Sequence, residues 1–171
     1  YICDIFKIEQ IEKVYLTAHR LNFIIFFSGL IIFYKLIKKR FNNIFFSLIS
    51  VIFFILSPRI FAESFYNSRD IFFMSLFIFY IFSGYNFINN KKISNTIVFA
   101  LFTALLINAK IFGLIPFGIF CLLYLYNFSH TNKMFVRERK IISFYFLFCI
   151  FFIHIFWPFL WNNPFQNLLF A

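Results

Sequence analysis

Long apolar blocks separated by short basic linkers are the feature that most constrains this chain. Hydrophobic residues occupy 63% of the 171 positions and charged residues only 13%, whereas soluble domains carry about 45–50% and about 25%. A helix that crosses a hydrocarbon core of about 30 Å needs about 20 apolar residues. Charges and turn residues divide this chain into blocks of roughly that length. This pattern excludes a soluble globular domain and a disordered chain.

The blocks predict an all-α, polytopic transmembrane helix bundle with about six spanning helices, in a single transmembrane domain over residues 1–171. The stretch 93–128 contains one charge, Lys110, but as one helix it would be about 54 Å long, too long for the bilayer. Asn108, Gly113 and Pro116 favour a turn, so we expect a hairpin of two spans. The predicted spans are residues 21–37, 43–57, 71–88, 93–109, 111–128 and 141–161.

The charges predict how such a bundle is oriented. The linkers after the first, third and fifth spans, with Lys35 at a span end, hold ten of the 16 basic residues and one acidic residue. That side carries +9 and the other side +1, which together make the total of +10. Cytoplasmic loops collect Lys and Arg, so both chain ends are expected outside. The excess of Lys and Arg is then explained by the orientation of the spans in the membrane, and no nucleic-acid partner is expected.

The external segment 57–70 is the most informative polar stretch. Ser57 followed by Pro58 is typical of a helix N-cap with proline at the first helical position. We therefore expect a short interfacial helix in this loop. It would place four polar residues on one face, at steps of four, four and three. These are Arg59, Glu63, Asn67 and Asp70. A solvated loop whose charges only end two spans is the alternative reading.

Three further residues are candidate functional residues, and each also has a purely structural explanation. Lys110 at the hairpin tip could bind a phosphate head group or could only extend its amine to the interface. Arg20 precedes the first predicted span and could anchor the helix end. His154 is polar within a predicted span, where a core hydrogen bond is the simpler explanation than metal ligation. No metal-ligand pair, phosphate loop or dinucleotide-binding motif is visible, so no cofactor is predicted.

Four short motifs resemble the GT-C glycosyltransferases, and in particular bacterial relatives of the dolichyl-phosphate-mannose protein mannosyltransferase family (glycosyltransferase family 39). The first is Arg20-Leu21 opening a span that ends in a basic run. The second is the Ser-Pro-Arg, Ala-Glu-Ser, Asn and Asp series in 57–70, and the third is Asn-x-Lys-x-x-Gly-Leu in 108–114. The last is Trp-Pro-Phe-Leu-Trp-x-Asn-Pro in 157–164.

The resemblance implies a multi-pass enzyme of the bacterial cytoplasmic membrane that transfers a sugar from a polyprenyl-phosphate donor to an acceptor on the external face. It implies Asp70 and Glu63 as catalytic residues and Lys110 near the lipid phosphate. Arg59, Asn67, Arg20 and His154 are the other expected substrate-binding residues. The partners would be the lipid-linked sugar donor, the bilayer and an unidentified acceptor.

Such enzymes carry essential acids in a first external loop, after a first span that this sequence does not show. The chain starts at Tyr1, and residues 1–20 are expected to be the tail of that loop in a fragment. The acid motif of that loop would then lie before Tyr1, so this chain would hold only half of the site. A divalent ion held partly by residues of that motif is a further alternative. A transporter or lipid flippase segment is the alternative function, although transporters place polar groups near mid-bilayer and these span centres are nearly all Phe, Ile and Leu.

Overall fold

The computed structural model describes residues 11–66, 68–131, 136–158 and 161. The predictions for residues 1–10, 132–135, 159–160 and 162–171 and for Asn67 lie outside the described residues. All regular structure in the described ranges is helical. The helices are α1 (Ile11–Phe41), α2 (Ile44–Leu56), α3 (Pro58–Tyr66), α4 (Ser68–Asn89), α5 (Ile93–Ala109), α6 (Leu114–Thr131) and α7 (Val136–Phe156), with a 3₁₀ turn at Ile111–Gly113.

Within the part of the chain that the structure describes, three helical stretches are long and apolar enough to cross a membrane: Tyr15–Phe41, Arg69–Asn89 and Arg139–Phe156. A fourth crossing is added if α2 and the start of α3, which meet at a bend of 63°, form one broken span. Apolar helices over Ile93–Ala109 and Ile111–Tyr126 are shorter. The prediction of an all-α integral membrane protein is confirmed, whereas the count of six spans stays a prediction.

The position of α1 corrects one prediction from the sequence, and the start of α3 supports another. Within the described residues α1 covers Ile11–Phe41 and so includes the ten residues before the predicted span, because charged residues end an apolar block without ending a helix. Arg20 therefore lies inside α1 and not ahead of it. A helix does begin at Pro58, with the Phe61 amide donating to the Ser57 carbonyl at 2.9 Å, so the expected short helix is present.

The chain consists of two compact units, residues 1–79 and 80–171. In the N-terminal unit, α1 packs against α2 through rings, with the centroids of Phe33 and Phe54 5.1 Å apart. α1 also approaches α4 at Gly29, where an added Cβ would lie 3.3 Å from the Ser75 Cβ. Small residues at such points allow two helix backbones to come close in a membrane.

The C-terminal unit is built around the ring of Phe99 in α5, which is 1% exposed. Its centroid lies 4.8 Å from that of Tyr145 in α7, 5.0 Å from Phe120 in α6 and 5.4 Å from Phe87 in α4. Gly84 leaves room for this ring, because a Cβ there would lie 2.9 Å from Phe99 Cε2. Four helices therefore share one aromatic centre.

The helix breaks at Lys110, as the predicted hairpin requires. Lys110 has extended backbone angles between α5 and the 3₁₀ turn. Gly113 then passes so close to α5 that an added Cβ would lie 2.5 Å from the Leu106 carbonyl oxygen. The turn thus depends on a residue without a side chain.

Candidate functional site

The N-terminal unit contains a cavity of about 690 Å³ that follows α1. α2 contributes Ile55 to its wall, and α3 contributes Phe61 and Ser64. The Ser64 hydroxyl donates to the Phe61 carbonyl at 2.7 Å, which holds that side chain against its own helix. The volume falls within the range of about 300–1,000 Å³ that small-molecule sites occupy.

One face of α1 forms the long wall of this groove. The lining side chains recur every three or four residues, so they stack on one side of the helix. They include Leu16, His19, Phe23, Phe26 and Leu30. From the first to the last, this stripe is about 21 Å long at 1.5 Å per residue. Most of the groove is therefore an apolar trough lined by aromatic and aliphatic groups.

The polar groups of the groove gather toward the N-terminal end of the stripe. His19, Arg20 and Asn22 all line it. Arg20 is exposed, while Asn22 is buried, at 7% exposure. The His19 ring packs edge-on against Tyr15 with centroids 4.2 Å apart, which restricts its orientation. The groove is thus cationic and polar at one end and apolar along the rest.

Arg59 and Glu63 form an ion pair on α3, with Nε and Oε1 3.1 Å apart. The two side chains are 88% and 32% exposed, and an exposed pair of this kind contributes about 0.3–0.5 kcal/mol. At 100° per residue, Glu63 lies about 200° around α3 from the groove-lining Phe61. The structure brings Arg20 into the groove, while Arg59 and Glu63 lie on another side of α3.

Asp70 lies in the first turn of α4 and is half-buried. A carboxylate is favourable there because the helix N-terminus carries a partial positive charge. The predicted common face assumed one helix through 57–70, but Asp70 belongs to α4 and not to α3. The structure therefore defines that face only for Arg59 and Glu63, and Asn67 lies outside the described residues.

The remaining predicted residues belong to the C-terminal unit. Lys110 is half-buried, and its backbone holds the turn, donating to Leu106 and accepting from Gly113 at 2.8 Å. His154 is exposed in the last turn of α7, and its carbonyl accepts a hydrogen bond from the Trp161 indole at 2.7 Å. Because the His154 side chain is exposed and not buried in the protein, the expected hydrogen bond in the core is not formed by this side chain.

No group of three His, Cys, Asp or Glu side chains that could hold a metal occurs among the described residues. The groove was not anticipated from the sequence, and neither was the role of Asn22 in it. A signal was present: His19, Arg20 and Asn22 open an apolar run in which Phe recurs at 23, 26 and 27.

Comparison with protein-family models, curated proteins and solved structures finds no match for this chain.

Proposed function

We propose that this chain is part of a membrane glycosyltransferase that takes a sugar from a polyprenyl-phosphate donor and transfers it to an acceptor on the external face of the membrane. The observation that carries the proposal is the groove on α1, with its cationic end and its apolar trough. A polyprenyl phosphate has the same two parts, an anionic head and a long apolar chain. The four motifs that resemble the GT-C enzymes supply the reaction.

Each end of the groove has a distinct task in this proposal. The Arg20 guanidinium offers a planar fork of donors that suits phosphate oxygens, and His19 and Asn22 add polar contacts beside it. The Phe side chains farther along α1 pack against the prenyl chain. A cation at the phosphate also stabilises the negative charge that develops on the leaving group during transfer.

The acids and the other polar residues keep the roles that the resemblance implies. Asp70 receives the proton of the acceptor or positions the acceptor, and Glu63 is held in place by Arg59. Asn67, Lys110 and His154 keep the substrate-binding roles that the resemblance alone implies. General-base catalysis of this kind contributes about 10²–10⁴ in rate.

The proposal includes six spans in a bacterial cytoplasmic membrane, with the basic linkers inside and the N-terminal part of α1 outside. The charge split of +9 against +1 supports this orientation. The break at Lys110 supports two separate short crossings over residues 93–131.

A transporter is the second candidate, and one observation favours it. α2 and α3 meet at a bend of 63°, and broken helices are common at transporter substrate sites. A transporter of this kind would use the same groove to move a lipid without transferring a sugar.

The test is binding of polyprenyl phosphate and transfer from a polyprenyl-phosphate hexose by the full-length protein. We expect Arg20→Gln to weaken binding about tenfold or more, since a hydrogen bond to a charged group is lost. Asp70→Asn should keep binding and slow transfer by about 10²–10⁴.

Lys13→Gln is the matched control, because Lys13 is an exposed cation on the same helix and does not line the groove. It should leave both measurements unchanged. Normal lipid binding by Arg20→Gln would exclude the groove as the donor site. Lipid movement across the membrane without any sugar transfer would establish the transporter instead.

A further inference from the structure

Three lysines lie on one face at the C-terminal end of α1. Lys38 follows Lys35 by three residues and Lys39 follows it by four, so the three side chains emerge on the same side of the helix. All three are exposed. The Lys38 amine lies 5.9 Å from the centroid of the Tyr34 ring, a distance at which the ring attracts the cation. We name this face the lysine face.

The turn that follows the lysine face is short and capped on both sides. Asn42 adopts a left-handed conformation with φ of 51°, and its amide donates to the Lys38 carbonyl at 2.9 Å. The Asn43 side chain then accepts from the Phe45 amide at 2.8 Å and so begins α2. Two residues connect the helices, which fixes the lysines relative to the start of α2.

Large apolar side chains are exposed directly beside these cations. Phe41 and Phe45 are 62% and 67% exposed, and Ile44 and Phe46 are also exposed. Apolar α1 and α2 lead away from the same turn, so these rings face lipid when the helices cross the membrane. The lysines then lie where lipid phosphates are, since long basic side chains extend from apolar surroundings toward the head groups.

The electrostatics of this region favour an anion. The sequence contains no Asp or Glu from residue 13 to residue 62. A helix C-terminus carries about half a negative charge, which three lysines exceed severalfold. The capped turn therefore presents a net positive, preorganised surface at the membrane interface.

We propose that the lysine face and the adjoining Phe41 and Phe45 form a binding site for the head group of an anionic phospholipid. The lipid phosphate contacts Lys35, Lys38 and Lys39, and its acyl chains pack on the exposed rings. This site is separate from the groove and does not depend on the glycosyltransferase proposal. It gives the protein a preference for anionic over zwitterionic lipid at this turn.

The test is native mass spectrometry of the full-length protein in detergent, titrated with phosphatidylglycerol or phosphatidylcholine of identical chains. We expect phosphatidylglycerol to bind more tightly, and Lys38→Gln/Lys39→Gln to reduce its affinity about 25-fold, because each of the two basic residues near lipid head groups contributes about fivefold. Lys38→Arg/Lys39→Arg keeps the charge and should keep the affinity. The preference should also fall as salt rises from about 0.05 M to about 0.5 M.

Lys91→Gln/Lys92→Gln is the control, since it also removes two positive charges, here from the linker between α4 and α5. It should retain the preference for phosphatidylglycerol. Equal weakening in the two Gln variants would show that only total charge matters, and unchanged binding in Lys38→Gln/Lys39→Gln would show that the lysine face binds no lipid. Either result overturns the proposal. If the double Gln variant fails to fold, Lys38→Gln alone replaces it: about fivefold weaker phosphatidylglycerol binding supports the proposal, and unchanged binding contradicts it.

Discussion

The two units of this chain have similar apolar sequences, but among the described residues the buried Phe and Tyr side chains all lie in the C-terminal unit. In the C-terminal unit, Phe99 and Tyr145 are 1% and 0% exposed. In the N-terminal unit, Phe23 and Phe53 are 65% and 71% exposed. Phenylalanine is abundant in both units, so composition does not explain the contrast.

The positions of small residues explain the contrast between the two units better than composition does. α5 carries Thr96, Ala100 and Ala104 at intervals of four, and all three are fully buried, so another helix backbone can approach closely along that face. On α1, Phe23, Phe26 and Phe27 line the groove instead of meeting a facing row of small residues. Buried aromatic packing holds the helices of one unit together, while incomplete packing leaves a groove in the other.

The prediction with the largest expected effect compares the same substitution, Phe to Ala, in both units. Phe99→Ala should lower the free energy of unfolding by about 3–5 kcal/mol, because a cavity replaces a ring at the centre of four helices. Phe23→Ala removes a side chain with few contacts and should cost less than about 1 kcal/mol. Thermal or SDS-induced unfolding in detergent measures both. Similar costs would show that the two units are equally packed.

A second comparison uses two glycines in the C-terminal unit. It tests whether a close backbone contact requires a residue without a side chain. Gly113→Ala should cost about 1–3 kcal/mol, since its Cβ meets the Leu106 backbone, which cannot move aside. Gly118→Ala places a Cβ in open space within α6 and should stabilise by about 0.5–1 kcal/mol. The same unfolding assay applies, and a neutral Gly113→Ala would mean that the turn can relax.

The smallest effect concerns a buried hydrogen bond between helices. Thr103 Oγ1 and the Tyr145 hydroxyl lie 3.0 Å apart, and Thr103 can also donate to the Phe99 carbonyl. Tyr145→Phe should cost about 0.6 kcal/mol and at most about 1.7, as is typical between membrane helices.

The control for Tyr145→Phe lies in the N-terminal unit. Ser28→Ala removes a hydroxyl that bonds only within its own helix, to the Ile25 carbonyl at 2.7 Å. The expected cost is close to zero. A loss in Ser28→Ala as large as in Tyr145→Phe would show that the bond between helices adds nothing specific.

The sequence by itself determined the helical, membrane-embedded class and several local features. Apolar blocks must become helices in lipid, because every backbone polar group then needs a partner within its own segment. The start of α3 at Pro58 and the break at Lys110 follow from local backbone chemistry. The ion pair of Arg59 with Glu63 also follows from a spacing of four residues on one helix. All of these depend on near neighbours along the chain.

Tertiary structure alone decided which of those helices pack tightly and where a groove remains. The face that carries Arg59 and Glu63 points away from the groove, and nothing in their spacing shows how α3 is rotated against α1. Asn22 and the Phe stripe of α1 line the groove, yet the same residues could have formed a buried core like that of Phe99. The physical reason is that lipid and protein interior are equally apolar, so hydrophobicity places a helix in the membrane without choosing which face meets another helix. That choice depends on the fit of small residues between distant segments, as at Gly84 against Phe99 and at Gly29 against Ser75.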